Sequence, residues 1–241
     1  MQSSPLISVV IPVSDREESW RALILDLTPI SDLIEIIIGA PHPSLKSAEY
    51  ATLATQHGLN LRLVETELNR ATQMNGAARQ ALAGYLWFLH ADSRLSVQAL
   101  QSAIEVARQG LTGLYYFDLT YQADGPRLTK LNALGAYIRS RFLGLPFGDQ
   151  GFLMSRDSFD LLGKFPEDCE YGEDHLFVWK AKKAGLRVLP AGASLTTSAR
   201  RYRDHGWLKT TLRHAKLFSI QVLHELIPSL KIRGGKCEHV R

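Results

Sequence analysis

The sequence predicts an α/β protein on an open, mostly parallel sheet, with helices on both faces, a mixed second half and a helical C-terminal tail. Three observations predict it. Short β-branched runs recur that suit strands buried on both faces. Segments rich in good helix formers separate them. Strand and helix alternate along the first 110 residues, the pattern of βαβ units. No repeat, linker or break in composition divides the chain, so one domain over residues 1–241 is expected, with its core at about 7–200.

Ile7–Pro12 opens the series as the first strand, followed by a helix at Glu17–Leu27 and a second strand at Glu35–Ile38. A helix at Ser44–His57, a strand at Leu61–Val64, a helix at Ala71–Ala83 and a strand at Tyr85–Leu89 continue it. A further helix starts near Leu95. Beyond it the sequence reads as a strand at Gly113–Tyr121, a helix at Leu128–Phe142, an irregular segment at Pro146–Met154 and a helix at Asp174–Ala184. A short strand at Leu186–Leu189 comes next. Apolar residues at Leu208, Leu212, Ala215, Phe218, Val222 and Leu226 keep helical spacing, so an amphipathic helix is expected over about 205–228, with a tail at 229–241.

Composition narrows the class. With 45% apolar and 22% charged residues the chain is an ordinary globular one, neither disordered nor collagenous. Cys169 and Cys237 lie far apart without CxxC spacing, which argues against a disulfide framework, a zinc site or a redox motif and leaves a reducing cytoplasm as the expected compartment. No run approaches the roughly 18 apolar residues of a membrane span. Met1–Pro5 lacks the basic start of a secretory leader. The net charge of +4 is local: half of the 28 cations lie from Lys180 onward, against Asp204, Glu225 and Glu238. Such a cluster is either a solvated face or an anion site, and its position favours one small anion over nucleic acid.

Ligands of open α/β sheets bind beyond the carboxyl ends of the strands. His90-Ala91-Asp92 follows the fourth strand directly, so Asp92 either holds a hard cation such as Mg²⁺ or caps the next helix. Glu173 and Asp174 open a helix, where carboxylates serve the dipole or general acid–base chemistry. Gly148, Asp149, Gln150 and Gly151 form a segment that either approaches a ligand or simply turns. Thr196–Arg203 gathers hydroxyls with Arg200, Arg201 and Arg203, suited to phosphate or to solvent. GxGxxG, GxxxxGK[ST] and GxSxG are all absent, which argues against a dinucleotide fold, a P-loop and an α/β-hydrolase.

Taken in order, Ser8–Val13, Arg70-Ala71-Thr72-Gln73-Met74-Asn75, His90-Ala91-Asp92, Pro146–Gly151, Phe165-Pro166-Glu167, Glu173-Asp174 and Thr197–Arg201 resemble family 2 glycosyltransferases of the GT-A fold. The closest likeness is to a small bacterial subgroup with RxxQMN, HAD and GDQG segments. It spans about residues 7–228. The resemblance implies inverting, hexosyltransferase-type transfer from a nucleotide-diphosphate sugar to an acceptor hydroxyl, with Mg²⁺ or Mn²⁺ on the diphosphate. Asp92 then falls on the metal-binding carboxylate, and Asp174, beside Glu173, on the catalytic base. Pro12, Arg70, Gln73, Asn75, His90, Gly148, Asp149, Gln150, Arg200 and Arg201 fall on the donor side, and His205 is a candidate second metal ligand.

Two departures stand out. His90 replaces the first carboxylate of the family's DxD, and Gly39-Ala40-Pro41-His42 replaces the usual acidic turn after the second strand. The second departure keeps a non-catalytic nucleotide- or glycan-binding member in view. A sugar-nucleotide pyrophosphorylase is disfavoured, because Pro12–Arg16 lacks that group's glycine-rich segment. Lys209, Arg213 and Lys216 beside Trp207, Leu208 and Phe218 suggest that the terminal helix either packs on the domain or makes peripheral contact with the inner membrane face.

Overall fold

The computed structural model describes residues 4–42, 47–169 and 172–226. Ser44, Tyr171, Cys237 and the expected tail at 229–241 lie outside the described residues. Eight strands form one sheet: β1 (Ile7–Pro12), β2 (Ile34–Ala40), β3 (Leu61–Glu65), β4 (Tyr85–Phe88), β5 (Arg94–Leu95), β6 (Leu114–Tyr121), β7 (Phe152–Ser155) and β8 (Val188–Thr197). Their order is β3-β2-β1-β4-β7-β6-β8-β5. The β3-β2-β1-β4 half is parallel. β7 runs against both β4 and β6, β8 runs parallel to β6, and β5 runs against β8.

The helices are α1 (Trp20–Leu27), α2 (Ser47–His57), α3 (Arg70–Arg79), α4 (Val97–Arg108), α5 (Thr129–Ile138), α6 (Arg156–Leu161), α7 (Glu173–Lys183), α8 (Arg200–His205) and α9 (Trp207–Leu226). Alternation along β1 and β2 divides the core between the two faces. Val9, Ile11, Ile36 and Ile38 pack with Trp20, Leu23 and Leu100 from α1 and α4. Val10 and Ile37 pack on the opposite face with Met74, Phe159 and Phe177 from α3, α6 and α7. Each such side chain, fully buried, contributes roughly 1.5–3 kcal/mol.

Several boundaries differ from the sequence expectation for identifiable reasons. α1 begins at Trp20 rather than Glu17, because the Glu17 carboxylate turns back to accept the Glu18 and Ser19 N–H groups. α3 ends at Arg79 rather than Ala83, since the N–H groups of Leu82 and Ala83 donate to buried Glu35 instead of continuing the helix. α4 is capped by Ser96, whose hydroxyl accepts the Ala99 N–H. β8 runs ten residues where a short strand is expected. Pro190 and Gly192 are accommodated within it by a break in register between Tyr116 and Asp118 on β6.

α9 packs on the domain. Phe218 meets Phe147 and His175 at ring-centroid distances of 5.8 and 5.3 Å, and Trp207 Nε1 donates to Asn132 Oδ1 at 2.6 Å. Two of the residues expected to face a membrane, Trp207 and Phe218, are thus engaged internally. No helix among the described residues is long and apolar enough to cross a bilayer.

Candidate functional site

The carboxyl ends of β1, β4, β6 and β8 share one edge of the sheet, and antiparallel β7 starts there. Leu89 still belongs to the sheet, its N–H donating to Val10 O, so His90 and Asp92 are delivered to the edge immediately beyond β4. A 3₁₀ turn at Gly148–Gln150 precedes β7, and β8 leads into α8.

Asp174 stands in the first turn of α7, in the field of the helix N-terminus. Gly148 N–H donates to its Oδ2 at 2.6 Å, and Oδ1 accepts the His175 N–H at 2.8 Å. A Cβ on Gly148 would lie 2.9 Å from both Asp174 Oδ2 and His90 Nε2, so only glycine lets the turn, the carboxylate and the imidazole come together here. Burial works to raise the Asp174 pKa, but the Arg70 guanidinium and the Gly148 N–H outweigh it and hold the carboxyl below its ordinary value. Burial, with Arg70 adding to it, lowers His90, so the imidazole is neutral at pH 7. Glu173 is buried and paired with Arg70, and burial together with Asp174 raises its pKa.

Ser96 caps α4, so Asp92 does not. The side-chain hydrogen bond to its carboxylate is a long one, from Thr197 Oγ1 at 3.4 Å. Burial raises its pKa, with Arg200 opposing and Glu17 assisting. Burial also pushes Asp149 up to about 6, Arg139 opposing and Asp174 assisting, and Asp149 Oδ1 is buried without a hydrogen-bond partner among the described residues. Among the described residues no three His, Cys, Asp or Glu side chains converge as a ready metal cage. The under-bonded carboxylate of Asp92 fits a hard cation that takes its remaining ligands from water or phosphate.

Other candidates are hydrogen-bonded within the fold. Gln150 is fully buried, donating to Phe117 O at 3.0 Å and accepting from Ser140 Oγ, Phe147 N and Arg139. Asn75, also buried, clamps Phe165 through both its N–H and C=O and donates to the Glu167 carboxylate at 2.8 Å. Gln73 Nε2 donates to Val13 O at 3.1 Å, bracing the chain beyond buried Pro12. Arg200 is bound to Glu17 and Ser19, tying α8 to the loop before α1. Arg201 is exposed, and its charge acts on both His90 and Asp92. His205 is exposed at the last position of α8.

The sequence gives no sign of Arg139. Its Nε donates to Leu145 O at 2.8 Å, its guanidinium stacks 3.5 Å from the Phe147 ring centroid, and it faces Asp149 and Asp174 electrostatically. No motif marks it among the cations of its helix. The missing acidic turn after β2 also has a physical counterpart: a Cβ on Gly39 would stand 2.4 Å from the Gln73 carbonyl oxygen, so α3 crowds that strand end.

Solved structures share this architecture. The chain superimposes on residues 1–349 of TarS from S. aureus with a TM-score of 0.62 at 16% identity, covering 80% of this chain and 60% of that one. The fold is GT-A-like. The TarS complex with UDP-GlcNAc matches with a TM-score of 0.61 at 16% identity, over 80% of this chain and 58% of that one. The mannosyltransferase PcManGT from Pyrobaculum calidifontis, in complex with GDP-Man and Mn²⁺, matches with a TM-score of 0.56 at 17% identity, over 81% of this chain and 57% of that one. This GT-A-like chain spans about three-fifths of the length of each of these neighbours. No family model and no curated protein sequence matches the chain.

Proposed function

We propose that this protein is an inverting glycosyltransferase that moves a sugar from a nucleotide-diphosphate donor to an acceptor hydroxyl. The observation that carries the proposal is the meeting of Asp174, His90 and Gly148 at the strand ends, with Asp92 delivered to the same edge two residues after His90. The fold shared with proteins solved with UDP-GlcNAc and with GDP-Man and Mn²⁺ supports this donor class.

An acceptor hydroxyl is a poor nucleophile until its proton has somewhere to go. Asp174, kept ionised by Arg70 and the Gly148 N–H, receives that proton as the oxygen attacks the anomeric carbon. A neutral His90 beside it adds no competing positive charge. One displacement from the face opposite the leaving group inverts the anomeric centre, and no covalent sugar–enzyme bond is needed. Asp92 would hold the divalent cation, whose chemistry there is to neutralise charge on the departing diphosphate. Arg201, exposed and acting on Asp92, adds positive charge for the same oxygens.

The test is turnover of a panel of UDP- and GDP-sugars with Mn²⁺ by wild type, Asp174→Asn and Asp92→Ala. Loss of the base lowers turnover on the order of 10²–10⁴-fold with donor affinity retained. Asp92→Ala weakens metal-dependent donor binding. Wild-type turnover left intact by both substitutions contradicts the assignment.

A further inference from the structure

The geometry points to a second functional surface, a face formed by α5 and α9 that docks the protein on an anionic phospholipid bilayer. It stands independently of the proposed transferase chemistry.

Asn132 joins the two helices, its Oδ1 accepting from Trp207 Nε1 at 2.6 Å and its Nδ2 donating to Thr211 Oγ1 at 3.0 Å. Exposed leucines neighbour each joined residue in sequence: Leu131 at 55% exposure, Leu208 at 61% and Leu212 at 60%. Along α5 and the turn that follows it, Leu134, Ile138 and Phe142 continue the apolar face, Phe142 being 77% exposed. Soluble surfaces carry scattered apolar residues but rarely so many on two joined helices.

Charge selects the occupant. Arg127–Leu143 contains no acidic residue, and neither does Trp207–His224. Lies on the two helices fix where the cations stand: at 100° per residue, Lys130 falls on the edge of α5 away from Asn132, and Lys209 and Arg213 fall on the edge of α9 away from Thr211. All three are exposed. An apolar centre between cationic rims is the pattern of helices seated at a lipid–water boundary. A second copy docking face to face would set like charges against one another, and a nucleic acid would gain nothing from Leu131 or Phe142. The same chain segment continues from α5 into Arg139, so the docked face adjoins the candidate site.

Sedimentation of the full chain with phosphatidylglycerol–phosphatidylcholine vesicles, and with phosphatidylcholine alone, tests the proposal. Wild type should pellet with the anionic vesicles, release at high salt and ignore the neutral ones. The triple variant Lys130→Gln, Lys209→Gln, Arg213→Gln should lower partitioning on the order of 100-fold. Leu131→Asn with Phe142→Asn should abolish it with an unchanged circular dichroism spectrum, both sites being exposed. Three results overturn the proposal: no binding by wild type, equal binding to neutral vesicles, or both variants binding as wild type does. A wild-type dimer that Leu131→Asn with Phe142→Asn dissociates, without vesicle binding, would assign the face to a second copy instead.

Discussion

The Gly148 backbone N–H donates to Asp174 Oδ2 at 2.6 Å, and the missing side chain of that glycine is what lets His90 approach the same point. One backbone group both orients the proposed base and helps keep it ionised. Gly148 is thus the residue of this segment that meets the proposed base, while Gln150 is turned inward to hold the turn.

Gly148→Ala puts a methyl group 2.9 Å from both Asp174 Oδ2 and His90 Nε2. The carboxylate and the imidazole must part to admit it. Displacement of about 1 Å at a reacting group costs on the order of 10² in rate. Steady-state kinetics should therefore show a fall in kcat of that size, with a thermal unfolding curve that remains cooperative. Unchanged kcat would mean that the Gly148–Asp174 contact has no part in turnover.

Asp149 supplies a stability test with a definite sign. Burial pushes its carboxyl from 3.8 up to about 6, so between those values the folded protein binds a proton that the unfolded chain has released. Its contribution is fully present below about pH 4 and is lost as the pH rises through about 6. Denaturant titrations with chelator present should show wild type losing stability relative to Asp149→Asn across that interval, and a constant difference above it. A wild type that gains on the variant as the pH rises would place an ionised, well-partnered carboxylate there instead.

Asn75 separates a framework role from donor contact. Asn75→Ala leaves the Phe165 N–H and C=O without their side-chain partner in a buried setting. The expected cost is about 1–3 kcal/mol in urea denaturation. KM for the donor should stay within twofold of wild type. A raised KM with unchanged stability would place Asn75 in contact with the donor.

The parallel half of the fold was legible because Ile7–Pro12 and Ile34–Ala40 are buried on both faces and carry the β-branched runs that such burial demands. The second half was less so. β8 hides behind Pro190 and Gly192, whose place depends on a register break with β6, a property of two strands that no single segment displays. At the site, short spacing was informative: His90 and Asp92 follow β4 directly, and Glu173 and Asp174 open α7 as expected. Spacing said nothing about which way a side chain turns. Gln73, Asn75 and Gln150 turn to satisfy buried backbone groups, and Arg139 reaches the acidic cluster from a helix whose cations look alike in sequence.

A crystal structure of this protein with UDP or GDP and Mn²⁺ tests the proposed roles of Asp92 and Asp174. The diphosphate should lie at the carboxyl ends of β1 and β4, the cation on the Asp92 carboxylate, and Asp174 should face the side where the donor sugar is attached. A nucleotide bound elsewhere, or a cation at that edge that leaves Asp92 uncoordinated, would contradict those roles.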